Sequence, residues 1–360
     1  MAAVGCRSGF RLIFNRHPYF AGHKFWKQGV AKGGDYEERK YDEVVLKSRL
    51  TAGLKRINQH IPQAVMQDVI NEAVKKIIYS ESQDLIANNK TFHHFLTDGV
   101  PVEYNTENGI KNDIVWLFDF EDAEENEFLA VNQFTIKEGR ENRRPDIILF
   151  INGLPLVLIE LKNPVDENAS IWSAYTQLQT YKDLIPSIFR FNEILIVSDG
   201  MEARAGTLTS PKNRFSPWKT TGLKDCKDFE NASLTSPEKQ NPYISTLQDD
   251  ISKADSKLKN PQLRILIEGM LKKEVLLDLI RHFIVFESDL HINSGKDYDK
   301  TKKADQSQTD DGIKISKKIA AYHQYYAVNN AVISTIEAVN GETWGGGGSK
   351  CFGYKQRLSF

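Results

Sequence analysis

The sequence predicts an α/β (α+β) fold in which helices flank a mixed β-sheet. Three observations predict it. Helical periodicity dominates residues 41–96, strand-like apolar runs dominate residues 102–161, and a helical segment at 170–184 leads to another strand-like run at 193–197. Because a strand, a helix of this length and a second strand make a right-handed βαβ unit, the sheet is expected to contain a parallel pair.

The composition indicates a soluble globular protein that can bury more than one core, since 40% of the 360 residues are hydrophobic and 26% are charged. Lys and Arg number 47 against 48 Asp and Glu, so the net charge of −1 excludes a global positive field, and any DNA-binding surface has to be local. No apolar run is long enough for a membrane span, and we expect no membrane partner. The three distant cysteines favour a reducing compartment, which we take to be the cytoplasm.

The N-terminal part of the chain is predicted to be helical after an irregular start. Residues 1–35 show no regular hydrophobic period and are expected to form an irregular lead-in. Apolar residues then recur at helical spacing over residues 41–57, 65–78 and 90–96. We expect these helices to open the main domain, which extends over residues 36–255.

The strand signals follow as six short runs rich in β-branched and aromatic residues. They lie near residue 102 and over residues 113–120, 128–136, 146–151, 156–161 and 193–197. Pro186 ends the helix that separates the last two runs.

The C-terminal part of the chain alternates between polar and helical patterns. Residues 209–255 are polar and proline-containing, which is typical of a loop or insertion, and the run at 294–311 predicts a mobile linker. Helices are predicted over residues 261–284 and 316–338, and Lys317 and Lys318 are expected to be solvated. The resulting division is a helical segment with a polar linker at 256–312, the start of a second domain at 313–340 and a flexible tail at 341–360.

The pair Asn152–Gly153, between two strand-like runs, predicts a β-hairpin. A strict two-residue loop would pair Asp146 with Ile159, whereas a three-residue loop or one β-bulge would bring Asp146 opposite Glu160. Pro155 favours the longer loop because it cannot donate a ladder hydrogen bond.

In the shifted register, Asp146, Glu160 and Lys162 converge on one face of the sheet. Charges in such apolar surroundings are costly unless they are paired or bind a metal. Two carboxylates suit Mg²⁺, which would lower the pKa of a bound water and stabilise charge on a phosphate, while Lys162 orients the water. The spacing alone leaves a structural ion pair equally open.

These residues carry a resemblance to a known family. Pro145–Asp146 followed by Glu160–Leu161–Lys162 resembles the PD-(D/E)xK nuclease signature, and Gln177 with Tyr181 resembles the Q-x-x-x-Y element of a subset of these nucleases. The runs at residues 128–134, 152–164 and 171–175 are similar to the N-terminal region of the R (HsdR) subunit of type I restriction-modification enzymes.

The resemblance implies an endonuclease domain that cuts double-stranded DNA with Mg²⁺ and works with modification (M) and specificity (S) subunits. It implies that Asp146 and Glu160 are metal ligands, that Lys162 is the catalytic lysine, and that Gln177 and Tyr181 support the site or contact DNA. Members of the superfamily also use an acidic residue on the first helix.

Our candidates for that acidic residue are Glu43 and, behind it, Glu72. Arg140, Arg143 and Arg144, just before Asp146, could meet DNA phosphates or simply be solvated.

The last predicted helix resembles the stretch before the RecA-like helicase and translocase motor of R subunits, where a glutamine, here Gln324, reads adenine. No phosphate loop follows it, so ATP binding is expected of the full-length family and ATPase activity is not expected of this chain. We therefore expect a truncated or frame-shifted R subunit. The alternatives are an independent RecB-like PD-(D/E)xK repair nuclease and a non-catalytic truncated docking fragment.

Overall fold

A mixed six-stranded sheet forms the centre of the fold in a computed structural model of the chain, as the sequence predicts. The structure describes residues 27–30, 39–79, 82–107, 109–162, 170–199, 202–220, 261–290 and 313–339. The predictions for the polar insertion beyond residue 220, for the linker at 294–311 and for the tail at 341–360 lie outside these residues.

Twelve strands are described, and six of them form the central sheet. They are Lys27–Val30 (β1), Val100–Thr106 (β2), Gly109–Val115 (β3), Phe128–Asn132 (β4), Ile136–Glu138 (β5), Glu141–Arg143 (β6), Ile147–Ile151 (β7), Leu154–Leu161 (β8), Ile194–Ser198 (β9), Ala203–Gly206 (β10), Ile284–Leu290 (β11) and Ile313–Ile319 (β12). The central sheet has the order β1-β4-β7-β8-β9-β10, and β2–β3, β5–β6 and β11–β12 form separate two-stranded ribbons.

Eight α-helices are described around this sheet. They are Lys47–Ile57 (α1), Gln63–Ile78 (α2), Leu85–Asp98 (α3), Ile171–Leu184 (α4), Pro186–Phe189 (α5), Pro261–Gly269 (α6), Lys273–His282 (α7) and Tyr322–Val339 (α8). The helix α4 connects β8 to β9, which pair in parallel, so the predicted βαβ unit is confirmed.

The central strands form the core of the protein. Every residue of β7 and β9 is buried, and β8 is buried up to its last residue. Near-continuous apolar runs of this kind are expected where a strand is covered on both faces. The polar exception in β8 is Glu160, which is 2% exposed.

The tip of the β7–β8 hairpin is buried rather than solvated. Asn152 and Gly153 have φ angles of 47° and 80°, as a type I′ turn requires. The backbone N–H of Leu46, just before α1, donates to the carbonyl of Gly153 at 2.9 Å. The Asn152 side chain accepts from the backbone N–H of Glu127 and donates to the carbonyl of Leu117. The turn is thereby fixed against the start of α1.

A buried ion pair joins the β11–β12 ribbon to the central sheet. Lys317 Nζ in β12 lies 2.6 Å from Glu193 Oε2, just before β9, and both side chains are fully buried. His93 Nδ1 on α3 lies 3.0 Å from the same oxygen, and Asn89 Oδ1 accepts a hydrogen bond from Lys317 Nζ. Burial alone would raise the pKa of Glu193, but the charges of Lys317 and His93 outweigh burial and lower that pKa.

Several predicted elements differ from those observed. The lead-in contains the strand β1, so the prediction of irregular structure is wrong for Lys27–Val30. The helix predicted over residues 261–284 is divided into α6 and α7 and is followed by β11. The helix predicted over residues 316–338 begins only at Tyr322, because residues 313–319 alternate as the strand β12.

The expectation that Lys317 is solvated is also wrong, because its strand position points inward to Glu193. On the following helix, Tyr325 packs in the same hydrophobic core as the central sheet. That a motor domain begins near residue 313 stays a prediction. In the part of the chain that the structure describes, no helix is long and apolar enough to cross a membrane.

If the buried ion pair stabilises the fold, removing one of its charges should lower the free energy of unfolding. Lys317→Met should lower the free energy of unfolding by about 3–5 kcal/mol, because it leaves the Glu193 carboxylate buried without its main counter-charge. Adding Glu193→Gln should recover part of this loss, since the buried charge is then removed as well. Urea unfolding of the wild type, both single variants and the double variant measures the coupling. A loss below about 1 kcal/mol for Lys317→Met would contradict the assignment.

Candidate active site

The register of the β7–β8 hairpin brings two acidic residues together. Beyond the turn, Ile151 pairs with Leu154 and Phe150 with Pro155, as a strict two-residue loop requires. A bulge then shifts the register by one, so that Ile147 pairs with Ile159. Continued by one residue, this register sets Asp146 opposite Glu160. Of the two routes that the sequence left open, the bulge is confirmed.

Asp146 is held in place by hydrogen bonds to both of its carboxylate oxygens. Oδ2 accepts from the backbone N–H of Leu161 at 2.9 Å, and Oδ1 accepts from Gln133 Nε2 at 3.1 Å. The first bond connects the end of β8 to the residue before β7. Asp146 therefore lies beside Glu160 in a fixed orientation.

Glu160 is a buried carboxylate that its surroundings do not fully satisfy. Among the described residues, its Oε2 atom has no hydrogen-bond partner. Burial and, after it, the charge of Asp146 raise the pKa of Glu160 well above its usual range. Lys162 Nζ lies 3.8 Å from Glu160 Oε1, too far for a strong hydrogen bond.

Lys162, Gln177 and Tyr181 continue the cluster. Lys162 Nζ donates to Gln177 Oε1, and Gln177 Nε2 donates to the Tyr181 hydroxyl at 2.5 Å. Burial and the nearby charge of Glu160 raise the pKa of Tyr181 to about 12, which keeps its hydroxyl protonated. The structure thus brings together all five residues of the predicted nuclease signature.

The position of α4 follows from the way its first turn is capped. Ser170 Oγ accepts from the backbone N–H of Ser173, and the Ser173 hydroxyl reciprocates as a capping box. Asp199, just after β9, accepts from the backbone N–H of Ile171 at 3.0 Å. Because α4 is tied to the end of β9, Gln177 is held over Lys162, whose backbone N–H donates to Ser198 at 2.8 Å.

The two further acidic candidates make local ion pairs. Glu43 lies before α1 rather than on it, so its predicted helical position is wrong, and its Oε1 lies 2.5 Å from Lys47 Nζ. Glu72, on α2, lies 2.8 Å from Lys76 Nζ. A third acidic residue in the site stays a prediction.

The arginine candidates lie on or next to the β5–β6 ribbon. Arg143 pairs with Glu141 at 2.7 Å, and its charge acts to lower the pKa of Tyr181, which puts the ribbon near the site. Arg144 and Arg140 are exposed. The ribbon is attached through Glu138, which accepts a hydrogen bond from the Ser187 hydroxyl at 2.7 Å.

Gln324 has a local structural role in the first turn of α8. Its Oε1 atom accepts from the backbone N–H of Ala321 at 2.9 Å, and the residue is exposed. A contact with adenine stays a prediction.

Sequence reasoning missed Gln133 as a site residue, although the residue lies in one of the family-like runs. It follows β4, whose pairing with β7 sets Asn132 opposite Ile147 and hence Gln133 opposite Asp146. The sequence signal was therefore the strand register, which sets Gln133, Asp146 and Glu160 side by side at the ends of three neighbouring strands.

The cluster suits a divalent cation that takes only a few ligands from the protein. Within the described ranges, no group of three or more His, Cys, Asp and Glu residues could hold a metal. Asp146 and Glu160 supply two carboxylates, and the unpartnered Oε2 of Glu160 offers a ligand oxygen. Mg²⁺ keeps several waters and is often bound through only one or two carboxylates.

Comparison with known proteins identifies the family. The family described as "Type I restriction enzyme R protein N terminus" matches residues 20–214, more than half of the chain, and this range contains all five clustered residues. The chain belongs to this family. The resemblance of the sequence to the N-terminal region of type I R proteins is thereby confirmed.

Two curated relatives agree with this assignment. The chain is 37% identical over 319 residues to the type I restriction enzyme HindI endonuclease subunit of Haemophilus influenzae, covering 88% of the chain and 25% of that protein. It is 31% identical over 329 residues to a candidate type I restriction enzyme endonuclease subunit, MjaIXP, of Methanocaldococcus jannaschii, covering 88% and 27%. This type I R-protein chain thus spans about a quarter of the length of these relatives.

Because the carboxylate of Glu160 is buried, we expect Glu160 to lower the free energy of unfolding of the protein. In metal-free protein at pH 8, Glu160→Gln should raise the free energy of unfolding by about 1–3 kcal/mol, because a desolvated charge beside Asp146 is removed. A raised pKa keeps the folded carboxyl protonated after the unfolded one ionises. The gain should therefore be small below about pH 4.5 and grow as the pH rises.

Urea unfolding in the presence of a chelator measures this difference at several pH values. Glu103→Gln, an exposed change on β2, is the matched control and should leave stability unchanged. If the wild type and Glu160→Gln unfold with the same free energy at pH 8, burial of the Glu160 carboxylate does not cost stability.

Proposed function

We propose that this chain is the nuclease part of a type I restriction R subunit, with a PD-(D/E)xK fold that hydrolyses phosphodiester bonds in double-stranded DNA with Mg²⁺. The observation that carries the proposal is the meeting of Asp146, Glu160 and Lys162, in which one buried oxygen of Glu160 has no partner among the described residues. The family and the named function of the relatives, endonuclease subunits, support it.

The geometry argues against a purely structural ion pair. A buried pair that stabilises a fold needs close contact and satisfied lone pairs. Here the Lys162–Glu160 separation is 3.8 Å, the pKa of Glu160 is raised, and Oε2 has no partner among the described residues. Such an arrangement costs stability in the absence of a ligand, which favours a binding site.

Each residue has a role that follows from its position. Asp146 and Glu160 would hold the ion, which when bound supplies an activated water and neutralises charge on the phosphate. Lys162, fixed through Gln177, would orient that water and offset the negative charge that develops on the phosphate. Tyr181 keeps Gln177 oriented, because its hydroxyl accepts the Gln177 amide hydrogen.

We extend the proposal to DNA and subunit partners. The β5–β6 ribbon presents Arg140 and Arg144 to solvent near the site, and arginines placed in this way suit phosphate contacts. The M and S subunits would supply methylation and target recognition. ATP-driven translocation, with Gln324 near adenine, is proposed only for the longer polypeptides of the family.

The catalytic assignment predicts the effect of three substitutions. Asp146→Ala, Glu160→Ala and Lys162→Ala should each lower the rate of Mg²⁺-dependent nicking of supercoiled plasmid at least about 100-fold, because each removes a metal ligand or the group that orients the water. The assay uses the chain alone and with M and S subunits plus ATP. Asp183→Ala, an exposed change on α4, is the control and should cleave normally.

Cleavage by the Asp146→Ala protein at the wild-type rate would exclude this site. Metal binding without cleavage by the chain alone, and cleavage once the partners are added, would support an R subunit over an independent repair nuclease. Failure of the wild type to bind Mg²⁺ would instead favour a docking fragment.

The ribbon assignment predicts a separate effect on DNA affinity. Arg140→Ala with Arg144→Ala should weaken binding of unrelated duplexes to a similar degree and reduce the slope of log affinity against log salt by up to about two. Fluorescence anisotropy at several salt concentrations measures both quantities. Lys75→Ala, an exposed cation on α2, is the control. An unchanged salt slope in the double variant would exclude the ribbon as a phosphate contact.

A further inference from the structure

Gln133 has a backbone conformation that its residue type disfavours. Its φ of 56° lies in the left-handed region, and Asn152 in the hairpin turn is the other non-glycine residue with positive φ in the described part of the chain. Asparagine tolerates this region comparatively well, whereas glutamine does not share that tolerance. A residue held in this way has to be fixed by its surroundings, and such residues concentrate at functional sites.

The contacts that Gln133 makes are directed at one residue. Its backbone N–H donates to the carbonyl of Asp146 at 2.9 Å, and its side-chain Nε2 donates to Asp146 Oδ1 at 3.1 Å. The Leu161 N–H donates to Oδ2, and of these three hydrogen bonds from neighbouring strands to Asp146, two come from Gln133. A regular β conformation at Gln133 would turn its side chain away from this double contact.

The chain on the far side of Gln133 is clamped as well. The Arg39 guanidinium lies 3.7 Å from the centre of the Phe134 ring, and its Nη2 donates to the carbonyl of Thr135 at 2.8 Å. Phe134 is itself buried in the core. The left-handed turn is therefore held between β4 and a fixed aromatic residue, and Gln133 is kept facing Asp146.

We infer that Gln133 is a positioning residue that sets the orientation of the Asp146 carboxylate for the metal ion. The inference rests on the proposed function of the site. The amide occupies one acceptor position of Oδ1, and a carboxylate oxygen retains capacity for a further ligand. Partners of this kind orient metal-binding carboxylates, and their loss typically weakens metal binding about 10–100-fold.

The inference predicts opposite effects on folding and on metal binding. Gln133→Gly removes the amide and also relieves the left-handed conformation, so the variant should unfold at the same or a higher urea concentration than the wild type. Its Mg²⁺ dissociation constant should nevertheless rise about 10–100-fold. Gln133→Leu, which keeps a side chain of similar bulk without the amide, should lose the same affinity.

Isothermal titration with Mg²⁺ and urea unfolding of the same preparations provide the two readouts, and neither depends on cleavage. Thr135→Ala, two residues further along the chain, is the control and should retain wild-type affinity. A purely structural role for Gln133 would lower the stability of the Gly variant and leave its Mg²⁺ affinity unchanged, and that result would overturn the inference.

The two proposals fail in distinguishable ways. If the wild type and Gln133→Gly bind Mg²⁺ equally well, the positioning role is wrong while the metal site stands. If the wild type binds no Mg²⁺, the proposed function fails and the positioning role fails with it.

Discussion

The site depends on a single extra residue in one strand. The bulge between the turn and the site moves β8 by one position against β7, which places Glu160 instead of Ile159 across from Asp146. Side chains alternate between the faces of a sheet, so the same shift decides which face Lys162 occupies. The turn at Asn152–Gly153 supports this register because it is buried and bonded to the residue before α1. Packing at one end of the hairpin thereby determines which side chains lie opposite each other at the other end.

The residues that stabilise the core differ from those that form the polar cluster. The core strands are apolar almost throughout, yet β8 carries one carboxylate whose pKa is raised by burial and whose Oε2 atom has no hydrogen-bond partner among the described residues. A hydrophobic residue at position 160 would suit the fold better. Lys162, Gln177 and Tyr181 are linked to one another by hydrogen bonds, and none of these bonds involves the buried Oε2 atom of Glu160.

Much of the fold and site could be predicted because the informative signals are local. Short stretches of sequence predict the helices, the βαβ unit and the Asn-Gly turn. Once a bulge is allowed in the hairpin, they also predict that Asp146 lies opposite Glu160. The C-terminal ribbon could not be predicted, since β12 carries a lysine at an inward position and its partner Glu193 lies more than a hundred residues away. Gln133 was missed because finding it requires the register of β4 against β7, which pairs two separate segments, and its left-handed φ has no signature in the sequence.

The strand β9 has a consequence for how the molecule can move. At its start, Glu193 is locked to Lys317 of the C-terminal ribbon, and at its end the carbonyl of Ser198 holds the backbone of Lys162. Separating the ribbon from the sheet would break this buried ion pair, which therefore opposes opening at this junction. A displacement imposed on the ribbon would therefore be transmitted through β9 to the backbone of Lys162.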